Sequence, residues 1–590
     1  MKRIVVAMVA VVSIALGWIA CAKPAEQVPA SQAVAFPEID GNAVLQHTKV
    51  LASDEYEGRA PGTKGEDLTV AYIEDQFRRA GVKPGNTDGT YIQKVPLIGI
   101  TPDPKVTLTF ARGAKKTALK FKDDFVAWTK RVARPGHMKF GDVVIEGDQA
   151  SASETVGIGG SDMVFVGYGV QAPEFNWDDY KGMDLKGKTL VVLVGDPPVP
   201  DPNDATKLDP STFGGRAMTY YGRWTYKYEM GAKLGADAVL IVHETGPAGY
   251  PFSVVQGKVN EQFDLIAPDN NMSRAAIEGW ISLDQAQALF KMAGLDYGKM
   301  KQQALTREFK PVPLGVKAAI TLHNKVRTID SRNVVGKIEG SDPVLKNEYV
   351  IYTSHWDHFG IGAPVNGDRI YHGARDNATG IGGMIEIGRA FAKLSPAPKR
   401  SILLLAVTAE EQGLLGSQYY ATTPIYPLAK TLGVVNMDAL NVWGRTKDIT
   451  VVGLGASDLD DYAKQIAGEQ GRVIQPDPKP ENGGYYRSDH FPFAKQGVPA
   501  INSSGGIDYV GKPAGWGRER SDAFTATDYH KPSDTVRPDW DMSGTVQDLQ
   551  YHWMMGYRIA QAAKYPEWKP GNEFRATREA QLKSAGKGPN

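Results

Sequence analysis

The sequence predicts an α/β fold: a mainly parallel, mixed sheet sandwiched by helices, with a second, β-rich unit inserted into it. Three observations lead there. From Asn333 onward, short apolar runs of strand composition alternate with loop and helix patterns, the rhythm of a parallel sheet covered on both faces. Five residues of metal-ligand type, His355, Asp376, Glu411, Asp438 and His530, each stand where such a run gives way to a polar or glycine-rich stretch. Open α/β sheets bind their ligands at the carboxyl ends of the strands, so five such residues there converge on one crevice. The stretch from about 160 to 315 has a strand and helix rhythm of its own and holds none of the five.

At 590 residues the chain is too long for one core, so two or three domains are expected. Lys plus Arg and Asp plus Glu both number 67, and a net charge of zero offers no basic stripe for nucleic acid or an anionic membrane surface. Met1-Lys2-Arg3 and the apolar run Ile4–Ala20, which ends in small residues, read as a secretory signal, so the chain is expected to be exported. The run lies at the lower edge of a membrane span's length, and an uncleaved anchor is the alternative. The single cysteine, Cys21, follows Trp18-Ile19-Ala20, which resembles a bacterial lipobox with Trp in place of the usual Leu. Ala20-Cys21-Ala22 is equally an A-x-A site for ordinary signal peptidase. One reading gives a periplasmic or outer-membrane lipoprotein attached through lipidated Cys21, the other a soluble periplasmic or secreted protein. Under both, disulfides, thiolate metal sites and cysteine nucleophiles are excluded.

The expected organisation is a signal over 1–22, an N-terminal part of the catalytic unit over 37–135, an insertion over 136–318, the catalytic core over 319–566 and a tail over 567–590. Leu68, Ala71, Tyr72, Ile73, Phe77 and Ala80 recur at helical spacing and Gly81 stops them. Val106, Leu108 and Phe110 alternate as a strand. In the insertion, strands are expected from Met163, Lys188 and Ala238, with a helix through Tyr226–Leu234. In the core, strands are expected at Tyr349–Thr353, Ser401–Val407, Leu432–Met437 and Ile449–Val452, with helices near 380–394, 413–421, 457–470 and 544–563. The basic tail after Trp568 lacks a strong period and is expected to be mobile.

The chemistry sits between these elements. In His355-Trp-Asp357, positions i and i+2 of an extended segment face one way, so His355 can bind a metal while Asp357 steadies it from behind. His358 projects differently and reads as structural. In Gly373-Ala-Arg-Asp376-Asn377-Ala-Thr-Gly380 a helix begins, and Asp376 or Asn377 is either its N-cap or, through two carboxylate oxygens, a bridge between two cations. The strand Ile402–Val407 ends in Glu410-Glu411, two adjacent acids that are costly at the mouth of a buried strand unless charge-compensated. Neighbouring extended residues point opposite ways, so one can ligate and the other face a water. Asn436-Met-Asp438 closes the next strand, and Tyr529-His530 supplies a late imidazole in a turn. Oxygen and nitrogen ligands of this kind suit zinc or a similar divalent ion.

Taken together, H-x-D, G-A-x-D-N-A-x-G, A-E-E-x-G-L-L-G-S, N-M-D and Y-H-x-x-x-D-T resemble the zinc-dependent exopeptidases typified by bacterial leucyl aminopeptidases, over about 42–100 and 333–565. Gly167-Tyr-Gly and Leu185-Lys-Gly-Lys-Thr-Leu-Val resemble the protease-associated (PA) domain often inserted in them. The resemblance implies two zinc ions, with cobalt or manganese as substitutes: His355 and Asp438 at one, Glu411 and His530 at the other, Asp376 bridging. It implies Glu410 as general base and then acid, a metal-activated hydroxide as nucleophile, and a non-prolyl cis peptide at Asp376–Asn377. Ser488-Asp489-His490 also resembles the family. Three adjacent residues cannot form a Ser-His-Asp relay, so Ser488 and His490 read as helix cap and pocket wall. Tyr485 falls where a substrate-carbonyl ligand would lie, the alternative being a packing tyrosine, with Tyr486 as the second candidate. The implied function is an exported di-zinc aminopeptidase acting on peptides with a free N-terminus. A carboxypeptidase, dipeptidase or glutaminyl-cyclase-like enzyme on the same site is the alternative, and a non-catalytic peptide-binding receptor a further one.

Overall fold

The computed structural model describes residues 34–103, 105–131, 152–257, 260–269 and 271–586. The signal and lipobox readings at 1–22, and the expected edge of the insertion at 136, lie outside the described residues. Residues Pro37–Asn590 form one compact unit.

Near the N-terminus, α1 (Gly41–Leu51) is capped by the Asp40 carboxylate, which accepts from Asn42 and Ala43 N–H. Helix α2 (Lys64–Ala80) ends at Gly81, whose left-handed backbone (φ 82°) is what a glycine stop supplies. It buries Val70, Ile73 and Phe77, the face that the helical spacing marks. Strands β1 (Ile92–Pro102) and β2 (Thr107–Arg112) follow.

The insertion holds β3 (Ala152–Phe165), β4 (Thr189–Leu193), α3 (Trp224–Lys233), β5 (Ala238–His243) and β6 (Ile277–Ser282). Strands β3, β4, β5 and β6 pair in parallel, and β4 and β5 are buried at every position. The core around them draws Phe165, Val191 and Leu240 together with Val106, Leu108, Phe110 and Phe125. The segment 106–127, expected to belong to the catalytic unit, therefore packs with the insertion. Its alternating strand pattern says which side is buried, not against which neighbour.

A single strand, β7 (Val312–Ile338), joins the two regions. Its first half pairs with β3, its middle with β1, and Val334–Ile338 pairs antiparallel with β9 (Ser401–Val407), following β8 (Tyr349–His355) in the chain. Strands β8 and β9 are parallel, as are β8 and β10 (Thr431–Asn436). Strand β10 pairs in parallel with the late strand Ala500–Gly505, to which Asp448–Val452 is antiparallel. The middle strands of this sheet are thus parallel, flanked on each side by an antiparallel pairing. Helices α4 (Thr379–Lys393), α5 (Leu415–Thr422), α6 (Leu459–Glu469), α7 (Trp516–Thr527) and α8 (Ser543–Gln561) accompany it.

The tail is not loose over the described residues. Trp568 and Arg578 are buried, Trp568 Nε1 donates to Gly497 O at 2.7 Å, and Arg578 donates to Leu428 O and Thr431 O at 3.1 and 2.6 Å. Helix α9 (Arg575–Ser584) follows. Two anchors suffice to dock the segment and are too few to create a sequence period. Among the described residues no helix is long and apolar enough to cross a membrane.

Candidate metal centre

The carboxyl ends of β8, β9 and β10 and two later loops bring His355, Asp376, Glu411, Asp438 and His530 into one cluster. His355 ends β8 and is fully buried. Its Nε2 lies 3.3 Å from Asp376 Oδ1 and 3.3 Å from Asp438 Oδ1. His530 Nε2 lies 3.3 Å from the other oxygen of Asp376, Oδ2, and 3.1 Å from Glu411 Oε2. The two oxygens of Asp376 therefore face two different donor sets: His355 with Asp438, and His530 with Glu411. Glu410 Oε2 stands back, 4.0 Å from His355 Nε2.

Four of the five, His355, Asp376, Glu411 and Asp438, are steadied by a hydrogen bond made elsewhere. Asp357, fully buried, accepts Glu410 N–H on Oδ1 at 3.0 Å and Glu411 N–H on Oδ2 at 3.3 Å. Its carboxylate steadies the two glutamates more directly than His355, whose Nδ1 is 3.1 Å from the Asp357 backbone carbonyl and 3.8 Å from its Oδ1. Asp534 repeats the device: its oxygens accept Arg375 N–H and Asp376 N–H, each at 3.0 Å. Asn377, joined to Asp376 by a cis peptide, accepts Gly380 N–H at the start of α4 and Ala439 N–H, at 3.0 and 3.1 Å. The capping role thus falls to Asn377 and leaves the Asp376 carboxylate to the cluster. Ser488 does not cap a helix by its side chain; its hydroxyl donates to Asp438 Oδ2 at 2.7 Å and accepts from Asn436 Nδ2 at 2.7 Å.

Arg59, 1% exposed, ties the rim together. It donates to Trp356 O, Leu51 O, His372 O and Gly373 O at 2.9, 2.6, 2.7 and 2.8 Å, so one guanidinium holds the loops carrying His355 and Asp376. Nothing local in Glu57-Gly-Arg59-Ala marks it, because three of its four partners are some three hundred residues away.

The electrostatics are those of a cation site. Burial by itself would raise Asp376, but the His355 and His530 imidazoles outweigh it and hold the carboxyl well below the ordinary range. Burial and then Asp376 push Glu411 up, and the imidazoles of His530 and His358 bring it down to about 2. Burial lowers His530, yet Glu411 and Asp376 lift it to about 9, and His355 rises well above its usual value against the same burial. Glu410 goes the other way: burial, and the charges of Glu411, Asp438 and Asp489, raise it well above the usual carboxylate value despite His355. A neighbouring pair of acids with opposed shifts is the arrangement of one ligand and one proton carrier.

The donor set fits divalent cations. His355, Asp376 and Asp438, and likewise His358, Asp376 and Glu411, offer ligand atoms within 4.8 Å of one another. His358, read from the sequence as structural, is fully buried with Nδ1 2.7 Å from Glu411 Oε1, so it supports or competes for the position of His530. His530, its side chain 32% exposed, keeps that position open to solvent, as a catalytic site requires.

The tyrosine facing the cluster is Tyr529. Its ring stacks on His530, centroids 3.7 Å apart, and after burial the charges of Asp376 and Glu411 raise its hydroxyl well above the usual range. Tyr485 packs instead on His490, Tyr486 and Phe574, and after burial the charges that bear on its hydroxyl are Glu573 and Asp460. A glycine-rich approach made Tyr485 the more visible candidate, whereas Tyr529 has only its place beside His530.

The model of Peptidase family M28 matches residues 333–554, the stretch from β7 into α8 that supplies every residue of the cluster. That segment belongs to peptidase family M28. Similar curated proteins include Aminopeptidase NAALADL1 of Mus musculus, 29% identical over 169 residues, 26% of this chain and 21% of that protein. Leupeptin-inactivating enzyme 1 of Streptomyces exfoliatus is 28% identical over 208 residues, 35% of this chain and 43% of that one. The matched part thus spans less than half the length of either relative. Among solved structures, an aminopeptidase from Aneurinibacillus sp. strain AM-1 aligns with a TM-score of 0.46 at 18% identity, covering 89% of this chain and 95% of that one. A zinc aminopeptidase from Bacillus subtilis aligns at 0.40 and 17%, covering 90% and 98%. Around its cluster the M28 segment is completed by Arg59, contributed from outside the matched residues.

Proposed function

We propose that the chain is an exported di-zinc aminopeptidase that removes N-terminal residues from peptides. The observation that carries this is the division of the Asp376 oxygens between two donor pairs, His355 with Asp438 and His530 with Glu411. His355, Asp438 and Asp376 would hold one ion, His530, Glu411 and Asp376 the other. When bound, the two ions would supply Lewis acidity to the scissile carbonyl and to the attacking water.

The chain's own groups do the rest. Glu410, side chain 10% exposed and lifted in pKa, takes a proton from the attacking water and returns it to the leaving amine. Asp357 fixes its backbone, so that the carboxyl stays aimed while its neighbour ligates. Tyr529, whose ring stacks on His530, would donate its hydroxyl to the carbonyl oxygen as charge develops there.

The test is Glu410→Ala. It should retain both ions, read by metal analysis, and lose most turnover, while wild type cleaves peptides with a free amine and leaves N-acetylated ones intact. Cleavage of blocked peptides would favour the carboxypeptidase or dipeptidase reading instead. Export, and attachment through Cys21, rest on Met1–Ala22; the intact mass of the mature protein decides them, since an unacylated N-terminus beyond Cys21 removes the lipoprotein reading. The insertion is read as a PA domain bordering the cleft.

A further inference from the structure

His530 stands in left-handed backbone, φ 57°, a conformation that a residue other than glycine keeps only where its surroundings impose it. The turn that carries it hangs from Phe524, in the last turn of α7: the Phe524 carbonyl accepts Asp528 N–H at 2.8 Å and Tyr529 N–H at 2.9 Å. Helix α7 is itself lightly seated. Of its residues Gly517 alone is buried, and its ion pairs, Lys479 with Asp522 and Arg520 with Asp539, lie at the surface, where such pairs hold little. A cavity of about 90 Å³ is lined by its Arg520 and Phe524 together with Arg375, Trp443 and Asp534.

The Phe524 ring is held by Arg375. The guanidinium carbon stands 4.6 Å from the centre of the Phe524 ring and 4.4 Å from that of Trp443, the two rings being 6.1 Å apart. Arg520 of α7 lies farther from Trp443, at 5.5 Å. Arg375 Nε also reaches Leu440 O by a long bond of 3.4 Å. Through its backbone the same residue meets the turn of His530 from the other end: Arg375 N–H donates to Asp534 Oδ1 at 3.0 Å, and Asp534 N–H donates to Lys531 O at 3.1 Å. The residue after Arg375 is Asp376, whose Oδ2 lies 3.3 Å from His530 Nε2.

We propose that Arg375 is a positioning residue: its guanidinium, lodged against Phe524 and Trp443, sets the turn of His530 relative to Asp376 and so shapes the His530 and Glu411 side of the centre. The inference rests on the two-ion reading above. A chain of similar length without the charge fills the same space and loses the attraction to the two ring faces, which is what fixes the rings' places.

Zinc titration against a chromophoric chelator tests this in the full chain carrying Arg375→Met, Arg375→Lys, Phe524→Leu, or Arg375→Met with Phe524→Leu. His530→Ala marks the binding step that depends on His530. Arg375→Met is expected to weaken that step about tenfold and leave the other within about threefold, the size of a part-buried cation–π contact. Arg375→Lys, which keeps a cation, should recover part of the loss. The double variant should be no weaker than the worse single one, because both changes remove one contact. Deuterium exchange of the peptide spanning 516–530, in the metal-free chain, should quicken in Arg375→Met and stay near wild type in Arg375→Lys. Equal weakening of both steps, no weakening, or additive losses in the double variant overturn the proposal. If wild type takes up a single ion, the two-ion reading fails and exchange alone decides: protection lost in Arg375→Met and kept in Arg375→Lys supports Arg375 as the anchor of this turn, and unchanged protection overturns it.

Discussion

Asp534→Asn tests whether the bridge depends on its clamp. In the native site both oxygens of Asp534 accept backbone amides, Arg375 N–H and Asp376 N–H, each at 3.0 Å in a buried setting. Asparagine keeps one acceptor and turns an NH2 group against the second amide, so one charge-assisted bond is lost and a buried donor is left unpaired. Such a loss costs about 2–3 kcal/mol. At 1.4 kcal/mol per decade it corresponds to roughly a 30- to 100-fold weakening of whatever depends on the loop geometry, in line with the 10–100-fold seen when groups supporting metal ligands are removed. Since Asp376 offers one oxygen to each donor pair, both binding steps should weaken in a competition titration of the metal-free protein with zinc and a chromophoric chelator. Asp357→Asn provides the contrast: it loosens Glu410 and Glu411, so only the step involving Glu411 should shift. If Asp534→Asn gives an isotherm that overlays wild type, the clamp has no role. If it moves one step alone, Asp376 does not bridge.

Further outcomes follow from other residues. Tyr529→Phe should lower kcat by roughly a hundredfold with KM and metal content little changed, the signature of a donor used in the transition state, whereas Tyr485→Phe should leave kcat within about twofold. Arg59→Met leaves four carbonyls facing a buried apolar chain and should lower unfolding stability by about 3–5 kcal/mol in urea titrations. Glu573, which accepts the Tyr486 hydroxyl at 3.0 Å, is raised to about 8, first by burial, so its neutral form is the one the fold prefers. A raised folded pKa means stability fully present below the unfolded value near 4.5 and lost as pH rises toward 8. Glu573→Gln should therefore flatten the stability profile between these limits by several kcal/mol, up to about 5, read by denaturant midpoints at several pH values.

The places of His355, Glu411 and Asp438 were legible because each is a local event: a run such as Ile402–Val407 is buried at every position, and the acid that follows it has to emerge at the strand's carboxyl end, whereas Asp376 follows a half-exposed ladder and His530 a helix. The same locality makes β8, β9 and β10 readable nearly to the residue. What holds the ligands is not local. Asp534 reaches Asp376 across 158 positions, Ser488 reaches Asp438 across 50, and Arg59 reaches Gly373 across 314. None of these pairs leaves a periodicity or a spacing, and an isolated buried polar residue looks in sequence like any surface one.

The insertion shows the same division between what a pattern states and what it omits. Strands at Thr189–Leu193 and Ala238–His243 follow from unbroken apolar runs, but alternation over Thr107–Arg112 could not say that its buried face belongs to the insertion's core. One strand, Val312–Ile338, pairs with β3 in its first half and β9 at its end. A boundary drawn near 318 therefore cuts a continuous hydrogen-bonded ladder. That continuity bears on the chemistry, because the sheet running from the insertion into the catalytic part helps fix where Met218 meets Pro480, at the start of the stretch that leads to Ser488. A hinge at that point would let the insertion swing freely; a 27-residue strand paired along its length resists it.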